Sequence, residues 1–259
     1  MKQISSGANP RYKALRKLVQ SSQERRRTGL SVLDGAHLVA AYREHAGLPR
    51  SIAVSRSGLA SPEVRALLEA MPGVETLALG DALFAGLSTV ATPTGIVAVV
   101  ATPRSAAVTQ TLDACVMLED LQDPGNLGSI LRSCAASGIT DVLLSKGSVH
   151  AWSPRVLRAG MGAHFTLKIH EDADLAAAAR AFPGRLLATR PRAPQTVFNT
   201  DLKGKIGFMF GNEGAGLSAA LLAAAHSVMA IPMPGKEESL NVAAAAAVCL
   251  FERVRQLRQ

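Results

Sequence analysis

Leu118-Glu-Asp-Leu-Gln-Asp-Pro-Gly-Asn-Leu-Gly-Ser-Ile-Leu-Arg132 is the stretch whose reading decides the fold. A short apolar run ends here, a Pro/Gly/Asn loop follows, and a helical pattern begins. Leu127, Ile130, Leu131, Cys134 and Ala135 fall at i, i+3, i+4, i+7 and i+8, one apolar stripe of a helix that Gly138 ends. Arg132 lies off that stripe, with Asn126 at the helix start. Two later stretches repeat the strand-then-loop pattern. They are Phe208-Met-Phe-Gly-Asn-Glu-Gly-Ala-Gly216 and Ile231-Pro-Met-Pro-Gly-Lys-Glu-Glu-Ser-Leu-Asn-Val242. Loops after parallel strands are where α/β proteins hold ligands. Any one of these loops alone reads as a tight turn, but three together suggest a site assembled from separate segments.

Working outward, strands are expected at 115–119, 141–145, 185–189, 206–210 and 228–231. Helical stretches lie between them, and a last helix runs from about Asn241 onward. This alternation predicts an α/β fold, a parallel sheet with helices on both faces. The first hundred residues read as a smaller α/β unit. Helices are expected at 10–27, 36–46 and 62–70, and strands at 31–33, 51–55, 74–79 and 94–101. The small, polar stretch 102–110 reads as a linker, which places domains at 1–107 and 108–259.

The chain has 259 residues, 48% hydrophobic and 19% charged, so a globular protein with a sizeable core is expected. No apolar run reaches the roughly 18–20 residues a membrane span needs. The basic N-terminus has no apolar run behind it, so no secretory signal is expected. Cys115, Cys134 and Cys249 are odd in number and widely spaced, and they read as buried thiols in a reducing cytoplasm. The histidines show no H-x-x-H or H-E-x-x-H pattern, so no metal site is expected. The formal net charge is +8, and most of it lies in residues 1–30. There Lys2, Arg11, Lys13, Arg16, Lys17, Arg25, Arg26 and Arg27 face the single acid Glu24. A polyanion is the natural partner, RNA first, with a solvated helix face as the alternative. Trp152 reads either as a base-stacking residue or as a packed one.

The glycine-rich loops match neither the dinucleotide fingerprint nor the P-loop, so a phosphate cradle is not expected. Their glycines would instead let the backbone approach a ligand closely.

Asn126-Leu-Gly-Ser-Ile-Leu-Arg132, Gly211-Asn-Glu-Gly214, Ile231-Pro-Met and Ser239-Leu-Asn-Val242, in this order and spacing, resemble the SpoU/TrmH family of RNA 2′-O-ribose methyltransferases, in the SPOUT superfamily. The resemblance covers about residues 112–259. Residues 10–39 also resemble the family's RNA-binding N-terminal extension, a ribosomal-protein L30e-like α/β fold. It implies a trefoil-knotted parallel-sheet methyltransferase domain, a cytoplasmic homodimer, and S-adenosylmethionine as methyl donor without metal. By position, Thr189, Gly211, Asn212, Ile231, Met233 and Leu240 would meet the cofactor. Asn126, Arg132, Glu213, Ser239 and Asn241 would be the reacting set. RNA contacts would come from Arg11, Lys13, Arg16, Lys17, Arg25, Arg26 and Arg27.

Arg132 would hold a phosphate or developing oxyanion, or activate the hydroxyl as a base; a guanidinium is effectively always protonated, which favours the first role. Glu213 reads as a brace, and Asn241 also reads as a simple N-cap. Ala243 stands where the family often has Ser, and Asp34-Gly35 where Glu-Gly is commoner. The implied substrate is 23S ribosomal RNA at a guanosine, with tRNA as the alternative. A silent RNA-binding or ribosome-assembly factor on the same fold is the rival reading from another class.

Overall fold

The computed structural model describes residues 1–88, 90, 92–103 and 112–259. Two compact units emerge. One comprises Met1–Pro103 together with Trp152–Phe165; the other comprises the described residues of 112–151 and 166–259. The boundary expected at 107/108 and most of the expected linker lie outside the described residues.

The chain begins with β1 (Lys2–Ile4), α1 (Pro10–Gln20), α2 (Ser22–Thr28), β2 (Leu30–Asp34), α3 (Ala36–His45) and β3 (Ser51–Ser55). It continues through α4 (Arg56–Ala60), α5 (Pro62–Glu69), β4 (Glu75–Leu79), α6 (Asp81–Ala85) and β5 (Ile96–Ala101). The five strands form one sheet in the order β1-β4-β3-β5-β2. β5 runs antiparallel to both its neighbours, and the other pairings are parallel. Tyr12, Leu15 and Leu18 of α1 seal one face of this sheet over Val32, Ala53 and Val97.

The helix expected over 10–27 is in fact two. Ser21 takes an extended backbone, φ −119° and ψ 115°, and its side chain caps α2 by accepting from the Glu24 N–H. The last carbonyls of α1 would be orphaned by such a break. Arg25 meets them: its Nη1 donates to the Leu18 carbonyl at 2.7 Å and the Val19 carbonyl at 3.0 Å, and the residue is 5% exposed. Its inclusion among RNA-contacting residues is therefore corrected, because this guanidinium clamps a helix junction. Arg25→Ala should lower unfolding free energy in urea by about 2 kcal/mol, the scale of charged hydrogen bonds lost from a buried site.

The other basic candidates differ among themselves. Arg11 pairs with Glu75, and Lys17 and Arg27 share Glu24 at 3.0 and 2.5 Å. Hydrogen bonds from Arg27 and Lys17 pull the Glu24 carboxyl down to about 2. Lys13 and Arg16 are exposed and have no ion-pair partner among the described residues.

The second sheet is built from β6 (Ala114–Leu118), β7 (Asp141–Leu144), β8 (Lys168–His170), β9 (Arg185–Thr189), β10 (Gln195–Thr196), β11 (Ile206–Phe210) and β12 (Ser227–Ala230). Its helices are α7 (Pro124–Ser137), α9 (Leu175–Ala181), α10 (Ala219–Ala224) and α11 (Val242–Leu257). α8 (Pro154–Gly160) belongs to the first unit. In that unit Trp152 is buried against His164, their ring centroids 5.3 Å apart, so it is not free to stack on a base.

The strand order is β10-β12-β9-β11-β6-β7-β8, and every pairing is parallel. Helices cover both faces, which explains why Cys115–Leu118 and Phe208–Phe210 read as unbroken apolar runs and are buried. Leu127, Ile130, Leu131 and Cys134 of α7 are fully buried, as their stripe predicted, and α11 packs against α7. The three thiols are buried; desolvation pushes Cys115 and Cys249 up to about 12 and Cys134 higher, which favours the neutral thiol. Among the described residues no helix is long and apolar enough to cross a membrane.

Candidate active site

Parallel strands present their loops at one edge, and β12, β9, β11 and β6 are consecutive neighbours. The loops after them therefore lie side by side at the carboxyl ends of the strands, where open α/β sheets bind ligands.

Polar side chains lock these loops together. Asn126, on the first turn of α7, donates from Nδ2 to Glu213 Oε1 at 3.0 Å. Its Oδ1 accepts from Asn241 Nδ2 at 2.8 Å. Glu213 accepts further from the Asp123 N–H at 3.1 Å and the Gln122 N–H at 3.2 Å. Partial burial pushes the Glu213 carboxyl up, but hydrogen bonds from Asn126 and from the backbone outweigh it, and the group lies below its ordinary value. It is thus a poor base and a good brace. Asn241 caps α11 through Oδ1, accepting from the Ala243 and Ala244 N–H groups. Asn241 is the N-cap of α11, and it also ties α11 to α7.

The loop after β11 folds on itself. Asn212 exchanges backbone hydrogen bonds with Gly216 at 3.1 and 2.9 Å, and its Oδ1 receives the Gly214 and Ala215 N–H groups. Its Nδ2 donates to the Asp120 carbonyl at 2.8 Å. Gly211 is required here, because a Cβ would press into the backbone of Gly216 and Leu217.

Sequence reading missed the support beneath the loop after β6. Asp120 sits at φ 51°, a left-handed conformation, held by Ser145: the hydroxyl donates to Asp120 Oδ1 at 2.6 Å and accepts from the Asp120 N–H at 2.8 Å. Gln122 Nε2 bridges the Asp120 and Gly147 carbonyls. The partners are about 25 residues away, so no local pattern carried the signal.

A cavity of about 400 Å³ opens between these loops. Thr189, Gly211, Asn212, Ile231, Met233 and Leu240 all line it, as do Glu213 and Ser239. So do Phe210, Gly216 and Arg190, which sequence reading did not single out. Asn126 and Asn241 stand behind this wall, joined to it through Glu213. Arg132 is exposed on α7, is not part of the cavity wall, and has no hydrogen-bond partner among the described residues.

Comparison with known proteins fits this geometry. Residues 113–251 match the SpoU rRNA Methylase family, and residues 9–98 match the MRM3-like substrate binding domain. The chain belongs to the SpoU rRNA methylase family. It is 30% identical to the 23S rRNA guanosine-2′-O-methyltransferase RlmP of Bacillus subtilis, over 97% of this chain and 98% of that one. A crystal structure of an RNA 2′-O ribose methyltransferase superposes with a TM-score of 0.87 at 30% identity, covering 99% and 100% of the two chains. The SpoU methyltransferase AviRb of Streptomyces viridochromogenes, in complex with AdoMet, does so with a TM-score of 0.82 at 28% identity, covering 96% and 99%.

Proposed function

We propose that this protein transfers a methyl group from S-adenosylmethionine to a ribose 2′-hydroxyl of 23S ribosomal RNA, at a guanosine. The observation that carries the reading is the three-loop cavity, lined by all six position-matched cofactor residues and braced by the Glu213–Asn126–Asn241 hydrogen-bond chain. RlmP, matched over nearly the whole chain, is named for a guanosine of 23S rRNA.

The residues present fit the cofactor. A volume of about 400 Å³ lies within the usual range for small-molecule sites, roughly 300–1,000 Å³. Ile231, Met233 and Leu240 offer apolar surface for an adenine, and Gly211 lets the loop after β11 fold tightly against Gly216 and Leu217 at the cavity wall. S-adenosylmethionine supplies an already activated methyl group. The chain's own part is to position the hydroxyl in line and to hold the charge that develops on it. Glu213, bound by three N–H groups, fixes the loops after β6 and β11 in register. Ser239, on the cavity wall, is placed to orient the ribose. Arg132, permanently charged, steadies the adjacent phosphate and the oxyanion.

The protein acts as a homodimer, and the trefoil knot belongs to the same proposal. Phe198 beside α11, and Phe251 and Leu257 on it, are large exposed apolar groups that a second copy would cover. Arg132, on an exposed face away from the cavity wall, suits a site completed at a subunit interface. The side-by-side loops of β6, β11, β9 and β12 and the return of α11 onto α7 support the knot.

RNA is held by the first unit, with Lys13 and Arg16 as the phosphate contacts left unpaired by protein acids. Lys13→Gln with Arg16→Gln should weaken RNA binding about tenfold at low salt and lower the salt slope by about two. An unchanged slope in filter binding would return this face to solvent. The reading as a whole is tested by labelled methyl transfer from S-adenosylmethionine to separated 23S rRNA and tRNA pools lacking the modification. Label in 23S rRNA is expected. Label confined to tRNA would move the substrate, and cofactor and RNA binding without transfer would favour a silent assembly factor.

A further inference from the structure

Among the described residues lining the cavity, only Glu213 and Arg190 carry formal charge. Glu213 is committed: Oε1 accepts from Asp123 and Asn126, and Oε2 from Gln122. Arg190 is not. It follows β9 directly, and its backbone N–H is fixed to the Met229 carbonyl of β12 at 3.1 Å. Pro191 restricts its backbone further. Its side chain is exposed and has no ion pair or hydrogen bond among the described residues. A chain whose acids otherwise take up several basic groups, such as Glu24 with Lys17 and Arg27, leaves this guanidinium unmatched on the wall of its cavity.

The rest of that wall is divided. Phe210, Ile231, Met233 and Leu240 are apolar, whereas Arg190 supplies a forked donor suited to a carboxylate. An apolar surface with one unpaired cation suits a ligand that is flat and apolar at one end and anionic at the other. We propose that Arg190 binds the carboxylate at the amino-acid end of the cofactor, and so sets the preference for ligands that keep that end. This rests on the cofactor reading above. A phosphate of the RNA is the other oxyanion that Arg190 could meet. The carboxylate is favoured because Arg190 lines the same cavity as the apolar surface.

Calorimetry with the full chain separates these cases. The ligands are S-adenosylhomocysteine, which keeps the carboxylate, and 5′-methylthioadenosine, which lacks the amino-acid end. Arg190→Gln should weaken S-adenosylhomocysteine about five- to tenfold and 5′-methylthioadenosine by less than about twofold, the scale of one charge-assisted pair at a partly exposed site. Arg190→Lys should recover part of the loss. Equal weakening of both ligands, or of neither, overturns the proposal. So does a rise in KM for RNA with both ligands unaffected, which would assign Arg190 to phosphate. Wild-type protein that binds neither ligand fails the cofactor reading itself, a result distinct from loss of discrimination in the variant.

Discussion

Arg132→Ala is expected to lower kcat for methyl transfer by about 10²–10³-fold, the scale of removing one preorganised charge from a developing oxyanion. Affinity for S-adenosylmethionine should stay within about threefold, since Arg132 is not on the cavity wall. Stability should also stay near wild type. Arg132 is exposed and bonded to nothing among the described residues, and such surface changes usually fall within about 0.5 kcal/mol. That combination makes the test clean, because a fall in rate cannot then be assigned to unfolding. Arg132→Lys should recover little, since an ammonium lacks the planar fork. Single-turnover rates beside calorimetry would check it. Turnover within a few-fold of wild type would remove Arg132 from the centre of the chemistry.

Gly211→Ala should have the other large effect, by a different route. The added methyl would meet backbone atoms of Gly216 and Leu217, and backbone cannot rotate away as a side chain can. The Asn212–Gly216 pairing would have to open, and both residues line the cavity. Overpacking of this kind costs about 1–3 kcal/mol. Cofactor affinity should fall by about 30-fold, because the displaced loop forms part of the cavity wall, and this comes on top of the loss of stability. Thermal unfolding and calorimetry would separate the two contributions. Wild-type cofactor affinity in Gly211→Ala would mean that the ligand lies elsewhere.

Much of the second unit was legible because its strands are buried on both faces. Arg185–Thr189 and Ile206–Phe210 were read to the residue, since an apolar run bounded by glycine or polar residues leaves little choice. β1, β8 and β10 escaped notice. Each has two or three residues, and their existence is decided by a distant partner strand. The break at Ser21 was signalled by Ser21 and Glu24, a capping pattern overridden in the reading by the apolar face of Leu15, Leu18 and Val19. Burial of Arg25 followed from that break and could not be seen without it.

The site divides the same way. Its glycines and amides were legible as motifs, because close backbone approach restricts the residue type. The links among them were not. Asn126 and Asn241 are 115 residues apart, and Asn126 and Glu213 are 87 apart. Arg190, whose charge gains meaning only beside a cavity, had no pattern to mark it.

The most direct test of the central claim concerns which atom is methylated. The 23S rRNA would be labelled with tritiated methyl from S-adenosylmethionine and then hydrolysed with alkali. A 2′-O-methyl group blocks cleavage of the adjacent phosphodiester, so the account predicts label in alkali-stable dinucleotides whose first nucleoside is 2′-O-methylguanosine. Label released as mononucleotides would mean methylation of a base, and would contradict the site described here.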